Sequence, residues 1–324
     1  MKRTLILGGT AWLGREIADQ LIAKGVEVTC LARGESGSAP TGASFVRADR
    51  RLPGVYDAVK NVVWDEVIEL SYQPDFVTGA LENLADQAKH WTLVSSVSVY
   101  ASNHDPGATE DAELVAPTDL GDYAQAKVAA EQGSTARLGD RLLIARPGLI
   151  VGPGDASDRF SYWVSRLALA NDEAVLVPDT SARIVQFIDV RNLASWIVDA
   201  GNRGLTGIHN CVGSEYDFST VLQTAADVSN FSGELTTAND EWLLAHGVTY
   251  WAGPGSLPLW LPRGDEAFAQ RSSNSYFASG GTERSLRETL EDVLRDERTR
   301  GLDRQRRSGL NRSKEIGLLR KLKS

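Results

Sequence analysis

Cysteine and histidine are scarce in this 324-residue chain, and long apolar runs are absent from it. The two cysteines, Cys30 and Cys211, lie in strand-like apolar stretches, so we expect buried free thiols and no disulfide framework. The four histidines are far apart and lack the spacing of a metal cluster, so no metal site is expected. No apolar run approaches the roughly 18 residues needed to cross a bilayer, and Met1-Lys2-Arg3 leads directly into a strand-like segment without a signal-like region. We therefore predict a cytoplasmic protein with no membrane partner.

An excess of positive charge is also missing, because the formal net charge is -9. This balance argues against general nucleic-acid binding, and no nucleic-acid partner is expected. Residues 295–324 are the exception, with eleven Lys or Arg and four Asp or Glu. This segment is either a polyanion-binding tail or a docked C-terminal helix. The second interpretation is favoured, because one helix face carries apolar side chains: Ile316, Leu318, Leu319 and Leu322.

Residues 4–23 form the most informative stretch, because a short apolar run leads through glycines into a helix-like segment. Apolar residues after the turn recur at helical spacing, which predicts strand, turn and helix. Gly8 allows a tight exit from the strand, Gly9 a close approach of a pyrophosphate, and Gly14 close packing of the helix on the strand. The amide groups at the start of such a helix face an anion, so the turn predicts a dinucleotide site; the alternative is a glycine turn that holds no ligand. The predicted contacts are Gly8, Thr10, Ala11, Trp12, Leu13 and Gly14.

The residue after the second strand (26–31) indicates which dinucleotide is bound. An acidic side chain there binds the free ribose hydroxyls of NAD, whereas a basic one accepts the 2′-phosphate of NADP. The sequence reads Ala32-Arg33-Gly34, so NADP(H) is favoured over NAD(H), and the alternative is a surface arginine. Asp49 ends the third strand (43–49) where an adenine would lie, and Arg50 is a second candidate for the phosphate. Leu70 and Pro147, together with Tyr123 and Lys127, which occur later in the chain, complete the predicted cofactor contacts.

Short apolar strands alternate with helical segments through the first half of the chain. Further strands are predicted at 67–70 and 90–96, with a helix over 76–89 between them. This alternation is typical of an α/β protein with helices on both faces of a parallel sheet. We predict a Rossmann doubly wound sheet with a smaller C-terminal substrate-binding lobe. Residues 1–155 are assigned to the NAD(P)-binding core and 156–324 mainly to the lobe, with 184–212 returning to the core.

A tyrosine and a lysine follow the fifth strand at helical spacing. Ser95-Ser96 ends that strand, 97–100 continues it, and the alanine-rich segment 122–131 predicts a helix. Tyr123 and Lys127 are four residues apart and therefore share a helix face. The alternative is an ordinary exposed pair, but the position after a strand that ends in paired serines is far more restrictive than the spacing alone.

Three more motifs follow these: Arg146-Pro147-Gly148, Val151–Asp155 and Ile188–Ala194. All of the motifs occur in the order found in the extended short-chain dehydrogenase/reductase family, which the first 200 residues resemble. The resemblance implies that Ser96, Tyr123 and Lys127 are the catalytic set. Ala11 and Ala101 replace glycines of the family, and the acidic NAD residue is missing. The chain is therefore more similar to an atypical, largely bacterial branch of epimerase/dehydratase and isoflavone-reductase-like proteins.

The chemistry of the implied catalytic set can be stated without the family. A tyrosine with a pKa near 10 is a poor base at neutral pH unless a cation is close, and Lys127 supplies one. Ser96 would bind the substrate oxygen while Tyr123 exchanges the proton. We predict an NADP-dependent oxidoreductase or epimerase/dehydratase acting on a carbonyl or hydroxyl of a small molecule, as a monomer or homodimer. The alternative is a non-catalytic NADP-sensing regulator or RNA-associated protein on the same fold.

Overall fold

The computed structural model describes residues 2–323, so Met1 and Ser324 lie outside the described chain. The chain forms two units. The first consists of Met1–Leu149, Val190–Gly213 and Arg271–Thr282, and the second of Ile150–Asp189, Ser214–Gln270 and Glu283–Ser324. These units differ from the predicted division in three respects: the first segment ends at residue 149 rather than 155, the chain returns to the first unit at residue 190 rather than 184, and a further short segment, 271–282, joins it.

A parallel sheet of seven strands forms the centre of the first unit. Its strands are β1 (Arg3–Leu7), β2 (Glu27–Ala32), β3 (Ser44–Arg47), β4 (Trp64–Glu69), β5 (Ala88–Val94), β6 (Leu142–Pro147) and β10 (Gly207–Cys211). They lie in the order β3-β2-β1-β4-β5-β6-β10, and each neighbouring pair is parallel. After β1 the chain adds β2 and β3 on one side of β1, and it then crosses over to add β4 on the other side. In sheets of this kind, ligands bind at the carboxyl ends of the two strands where the order reverses, which here are β1 and β4. The predicted Rossmann α/β fold is confirmed.

Two pairs of helices cover this sheet. The helices of the first unit are α1 (Trp12–Ala23), α2 (Pro74–Leu84), α3 (Tyr123–Leu138), α5 (Val190–Arg203) and α8 (Asn274–Ala278). α1 packs against α5, and α2 packs against α3. The connections between parallel strands are right-handed, and the chain adds strands on both sides of β1. The two pairs of helices therefore lie on opposite faces of the sheet. Leu5, Leu7, Trp91 and Leu93 are fully buried beneath α2 and α3 as part of one apolar core.

The second unit contains small sheets and the C-terminal helices. Its strands are β7 (Leu149–Val151, starting at the unit boundary), β8 (Val175–Pro178), β9 (Ile184–Asp189), β11 (Glu215–Asp217), β12 (Leu235–Ala238), β13 (Thr249–Trp251) and β14 (Ser256–Pro258). Its helices are α4 (Ser161–Ala170), α6 (Phe218–Ser229), α7 (Asp240–Ala245), α9 (Leu286–Arg300) and α10 (Arg312–Leu322). The favoured interpretation of the basic tail is confirmed, because α10 packs on β8 with Leu318 and Leu319 buried. Ile316 and Leu322 are only half-buried.

Three predicted elements differ locally from the structure. The third strand ends at Arg47, so Asp49 and Arg50 belong to the turn that follows it. The helix predicted over 76–89 ends at Leu84, and one turn of 3-10 helix leads into β5. The segment 97–100 does not continue β5, because the Ser96 side chain accepts a hydrogen bond from the Ser98 N–H and starts a 3-10 turn over Val97–Val99.

Candidate active site

The turn between β1 and α1 requires glycine at three positions. Gly8 has a φ of +106°, in the left-handed region that side chains other than hydrogen disfavour. A Cβ at Gly9 would lie 2.5 Å from the Cys30 Sγ, and a Cβ at Gly14 would lie 2.6 Å from the Gly8 carbonyl oxygen. Gly8 and Gly14 therefore allow the tight turn and the close packing of the helix that the sequence predicted, whereas Gly9 makes room for Cys30 of β2 and its predicted approach to a pyrophosphate stays a prediction.

The N-terminus of α1 can receive an anion. Ala11 is its N-cap residue, and neither a capping side chain nor an acidic residue satisfies the first turn of this helix. The helix therefore retains partial positive charge at its first amide groups. Ala11 replaces a glycine of the family pattern without strain, because its φ of -83° is open to any residue. The bare glycine backbone and the uncapped helix end fit the pyrophosphate of a dinucleotide.

A cavity of about 280 Å³ opens beside this turn, within the first unit. Residues at the ends of four strands line the cavity. Seven of the predicted cofactor residues are among its lining residues: Gly8, Thr10, Ala11, Arg33, Asp49, Arg50 and Leu70. Trp12, Leu13 and Gly14 lie in the first turn of α1, and Pro147 lies at the end of β6. These four do not line the cavity, and neither do Ser96, Tyr123 and Lys127.

Arg33 stands at the cavity wall with a carboxylate beside it. Its guanidinium lies 3.1 Å from the Glu35 carboxylate, and both side chains are about half exposed. An exposed pair of this kind contributes roughly 0–1 kcal/mol, so a phosphate group can displace Glu35. A side-chain hydrogen bond from Arg51 lowers the pKa of Asp49 to about 2, with a smaller contribution from the charge of Arg33. Sequence reasoning missed Glu35, which lies two residues beyond the decisive position.

Arg50 is held by protein groups on its inner side. Its Nη1 and Nη2 atoms donate to the two oxygens of Glu69 at 2.8 and 2.6 Å, and its Nε donates to the Tyr56 hydroxyl at 2.9 Å. Nη2 also donates to the Phe76 carbonyl. The Arg50 side chain is 8% exposed and that of Glu69 is fully buried. With these donors engaged, Arg50 is better suited to shaping the cavity wall than to holding a phosphate, which leaves Arg33 as the stronger candidate.

The segment after β4 links the cavity to the tyrosine and lysine. Ser71 and Tyr72 line the cavity. The Ser71 carbonyl accepts a hydrogen bond from Lys127 Nζ at 3.4 Å, and the rings of Tyr72 and Tyr123 lie 5.2 Å apart between centroids. The Glu69 carboxylate accepts a hydrogen bond from the Ser71 N–H at 2.8 Å, which fixes this segment. Sequence reasoning missed Glu69, Ser71 and Tyr72, although a lone acidic residue ending an apolar strand was a visible signal.

Lys127 is buried in the first turns of α3. Its side chain donates to the Val94 carbonyl at 2.6 Å, and Nζ lies 5.9 Å from the centroid of the Tyr123 ring. Burial lowers the pKa of Lys127 from 10.5 to about 8, while the charges of Glu69 and Glu131 oppose this decrease. The amine is therefore mostly protonated at neutral pH. Tyr123 itself is 45% exposed.

Ser96 lies two residues beyond the end of β5, where it precedes the 3-10 turn. It is 9% exposed, and its hydroxyl donates to the Ser98 hydroxyl at 3.1 Å. A phenol, an ammonium ion and a hydroxyl are groups of the kind that bind a substrate oxygen and exchange a proton with it.

Other sequence expectations concern the cysteines and the membrane. Cys30 and Cys211 are buried free thiols, as predicted. Burial raises the pKa of the Cys30 thiol to about 11, which disfavours its thiolate. Within residues 2–323, no helix combines the length and apolar character needed to span a bilayer.

Several solved structures share this fold. A provisionally assigned epimerase from Burkholderia cenocepacia is 20% identical, with a TM-score of 0.70 over 92% of this chain and 98% of that one. UDP-glucose 4-epimerase from Thermus thermophilus, in complex with NAD, is 19% identical, with a TM-score of 0.67 over 91% and 99%. UDP-glucuronic acid 4-epimerase from Bacillus cereus, also in complex with NAD, is 13% identical, with a TM-score of 0.68 over 92% and 100%. At these identities the likeness establishes the fold alone.

The family follows from the sequence match. No curated protein matches the chain. The model of the NAD-dependent epimerase/dehydratase family matches residues 4–211, which is most of the chain and includes every strand of the seven-stranded sheet except the first residue of β1. The chain belongs to the NAD-dependent epimerase/dehydratase family.

Proposed function

We propose that the protein is an NADPH-preferring enzyme of the extended short-chain dehydrogenase/reductase type, acting on a carbonyl or hydroxyl of a small molecule. Its reaction is a reduction or oxidation, an epimerisation or a dehydration, with Tyr123 as the acid/base. The observation that carries the proposal is the buried Lys127 ammonium 5.9 Å from the Tyr123 ring centroid. A buried cation at this distance from a half-exposed tyrosine has a chemical use that a purely structural lysine does not need.

The roles of the three residues follow from their surroundings. The dinucleotide, when bound, supplies hydride transfer. Lys127 stabilises the phenolate form of Tyr123 and so lowers the pKa at which its hydroxyl releases a proton. Ser96 donates a hydrogen bond to the substrate oxygen, and Tyr123 gives a proton to that oxygen or removes one from it.

The preference for NADPH rests on Arg33. No carboxylate occupies position 32 or 33, and Arg33 lines the cavity with only an exposed partner, Glu35. A guanidinium binds a phosphate group through charge-assisted hydrogen bonds, which are roughly twice as strong as neutral ones. The same position lacks the carboxylate that would bind the free ribose hydroxyls of NADH.

The substrate class is proposed more broadly than that of the structural relatives. The Thermus and Bacillus proteins are 4-epimerases of UDP-sugars, so sugar nucleotides are the first compounds to test. Ala11 and Ala101 depart from the sugar-nucleotide motifs, and this departure supports a wider panel of carbonyl and hydroxyl compounds. The isoflavone-reductase-like branch stays a prediction.

The catalytic assignment is tested by Tyr123→Phe, with Tyr72→Phe as the matched control. Both changes remove one phenolic oxygen and keep the ring, and the two rings pack against each other. Turnover of Tyr123→Phe should fall by about a hundredfold to ten-thousandfold with little change in NADPH affinity, the usual range for a positioned acid/base group. Tyr72→Phe should keep its activity.

The measurement is steady-state kinetics on the substrate panel, followed through NADPH absorbance, together with cofactor titration. Full activity in Tyr123→Phe would show that the tyrosine is not the acid/base. If NADPH binds tightly and no compound in a broad panel turns over, the non-catalytic sensor becomes the better interpretation.

The cofactor preference is tested by calorimetric titration with NADPH and NADH. The unmutated protein should bind NADPH at least about tenfold more tightly, because a hydrogen bond to a charged group contributes about 1.5–3 kcal/mol. Arg33→Ala should remove the preference. Glu35→Gln is the matched control, and it should strengthen NADPH binding because it frees Arg33 from its partner. Equal affinities for the two cofactors in the unmutated protein would contradict the assignment.

A further inference from the structure

The second unit contains a larger cavity, of about 580 Å³, that neither the family nor the proposed reaction assigns to a ligand. Its lining comes from α4, from the turn between β13 and β14, from the loop between α9 and α10, and from the first turn of α10. Five cationic side chains and one carboxylate face it: Arg166, Arg304, Arg306, Arg312, Lys314 and Asp303. Cavities of roughly 300–1,000 Å³ accommodate ordinary small-molecule ligands.

Arg166 is the deepest of these cations. It is 5% exposed, and its Nη2 donates to the Leu310 carbonyl. Its Nε lies 3.4 Å from a Glu315 oxygen, but neither Nε nor Nη1 has a hydrogen-bond partner of acceptable geometry among the described residues. The guanidinium also lies 5.3 Å from the Tyr162 ring centroid. Buried donors without partners are costly, so they point to a bound acceptor.

Two arginines of the loop show the same pattern. Arg304 and Arg306 form ion pairs with Asp158 and Glu297, whose side chains are both almost completely buried. Arg304 Nε and Arg306 Nη1 still lack hydrogen-bond partners in the described chain. The buried carboxylates therefore fix the guanidinium groups in place while some of their donors stay unused.

The first turn of α10 completes the wall. Arg312 pairs with Glu315 at 2.6 Å and with the exposed Glu173 at 2.7 Å. Lys314 is exposed, and its Nζ donates to the Gly247 carbonyl at 3.0 Å. The carboxylates of Asp158, Glu297 and Glu315 partly neutralise the arginines from within the protein. The surface that faces the cavity carries the cations, with Asp303 as its one carboxylate.

We infer that this cavity is a binding site for the diphosphate group of a phosphorylated small molecule. Guanidinium groups that are already oriented bind phosphate oxygens through paired, charge-assisted hydrogen bonds. A diphosphate has enough acceptor oxygens to use donors from α4, the loop and α10 at once. The inference is independent of the proposed reaction, because every lining residue belongs to the second unit.

The test is calorimetric titration of the full chain with inorganic pyrophosphate at fixed ionic strength, with inorganic phosphate and a nucleoside diphosphate as further probes. Lys314→Gln is the deciding variant, since Lys314 is exposed and the new amide can still donate to Gly247. Arg320→Gln is the matched control, because Arg320 is exposed on the same helix and does not line the cavity. Arg166→Lys removes the unused guanidinium donors, and its melting temperature shows whether the fold is retained.

With NADPH present at saturating concentration to occupy the glycine turn, we expect one pyrophosphate per chain, bound more tightly than phosphate. Lys314→Gln and Arg166→Lys should each weaken binding by about tenfold, the effect of losing a hydrogen bond between charged groups. Arg320→Gln and Arg33→Ala should leave the affinity within about twofold of the unmutated value. If the nucleoside diphosphate binds more tightly than pyrophosphate, the apolar part of the lining also contacts the ligand.

Two results would overturn the inference. One is the absence of saturable binding at millimolar pyrophosphate, which would mean that water satisfies the buried donors. The other is an equal loss of affinity in Lys314→Gln and Arg320→Gln, which would mean that pyrophosphate responds to diffuse charge on α10. Loss of binding in Arg33→Ala alone would place the probe in the cofactor cavity, and the inference would then also be wrong.

Discussion

Replacing Lys127 with methionine should change stability in a way that depends on pH. Burial lowers the pKa of Lys127 from 10.5 to about 8, so between these pH values the folded protein binds fewer protons than the unfolded chain. Stability contributed by this position therefore rises with pH across that window. Below pH 8 the buried ammonium opposes folding by about 3 kcal/mol, since each pKa unit corresponds to about 1.36 kcal/mol.

The substitution also removes favourable contacts. Lys127 Nζ donates to the Val94 carbonyl at 2.6 Å and to the Ser71 carbonyl at 3.4 Å. Leaving a buried carbonyl without a donor costs about 1–3 kcal/mol, and this cost does not depend on pH. At pH 7 the two effects nearly cancel or favour Lys127→Met by up to about 2 kcal/mol, whereas near pH 10.5 the variant should be the less stable protein by about 1–3 kcal/mol.

The assay is urea unfolding of both proteins at several pH values from 7 to 10.5, because urea adds no salt that would screen the charges. The quantity to compare is the difference in unfolding free energy between the proteins, since all shared titrating groups cancel from it. Lys127→Met should also lose turnover and bind NADPH more weakly. A difference that is the same at every pH would refute the reasoning, because it would mean that the ordinary pKa of the lysine is retained in the fold.

Two further predictions concern stability elsewhere. Burial alone would lower the pKa of His90, but the Glu66 carboxylate, with an oxygen 3.4 Å from His90 Nδ1, and the Leu205 carbonyl, 2.8 Å from Nε2, outweigh burial and raise it. Protonated His90 therefore stabilises the fold fully below about pH 6.5, and this stabilisation is lost as the pH rises through the raised pKa. In thermal melts, the unmutated protein should exceed His90→Gln in melting temperature by the largest amount at about pH 5–6. Deleting residues 311–324 should lower the free energy of unfolding by at least about 3 kcal/mol. The deletion exposes the surface covered by Leu318 and Leu319, and it removes the buried Glu315 carboxylate that accepts a hydrogen bond from the Leu176 N–H. NADPH affinity should change little. An unchanged melting temperature would show that α10 is not docked.

The parts of the fold that the sequence predicted well depend on short-range chemistry. Apolar strands followed by glycines and helical periodicity identify the β1–α1 turn, because the left-handed φ of Gly8 and the close contacts at Gly9 and Gly14 leave no other residue possible. The pairing of Tyr123 with Lys127 follows from helix geometry in the same way. Both motifs are local in the sequence, although the close contact at Gly9 is made with Cys30 of β2.

The parts that the sequence did not predict depend on contacts between distant segments. Arg50 has the charge of a phosphate ligand, and only the fold shows that Glu69, nineteen residues later, binds it through both carboxylate oxygens. The position of Glu69 beside Arg50 is set by the fold, and no local sequence pattern specifies it. The turn after β5 is a local miss by contrast, because the Ser98 N–H donates to the Ser96 hydroxyl where the pattern of 97–100 predicted a continuing strand.

The protonation state of Lys127 shows how distant pairs serve the candidate site. Its burial would favour a neutral amine, which could not stabilise a tyrosine anion. Two buried carboxylates, Glu69 and Glu131, oppose that effect, and each is itself paired with a buried arginine, Arg50 and Arg146. The arginines offset the free-energy cost of burying the two carboxylates. The carboxylates in turn keep the lysine charged at neutral pH. The charged interior around α3 is therefore best understood as a support for one cation beside Tyr123, because uncharged, well-packed residues would have stabilised the fold at least as well.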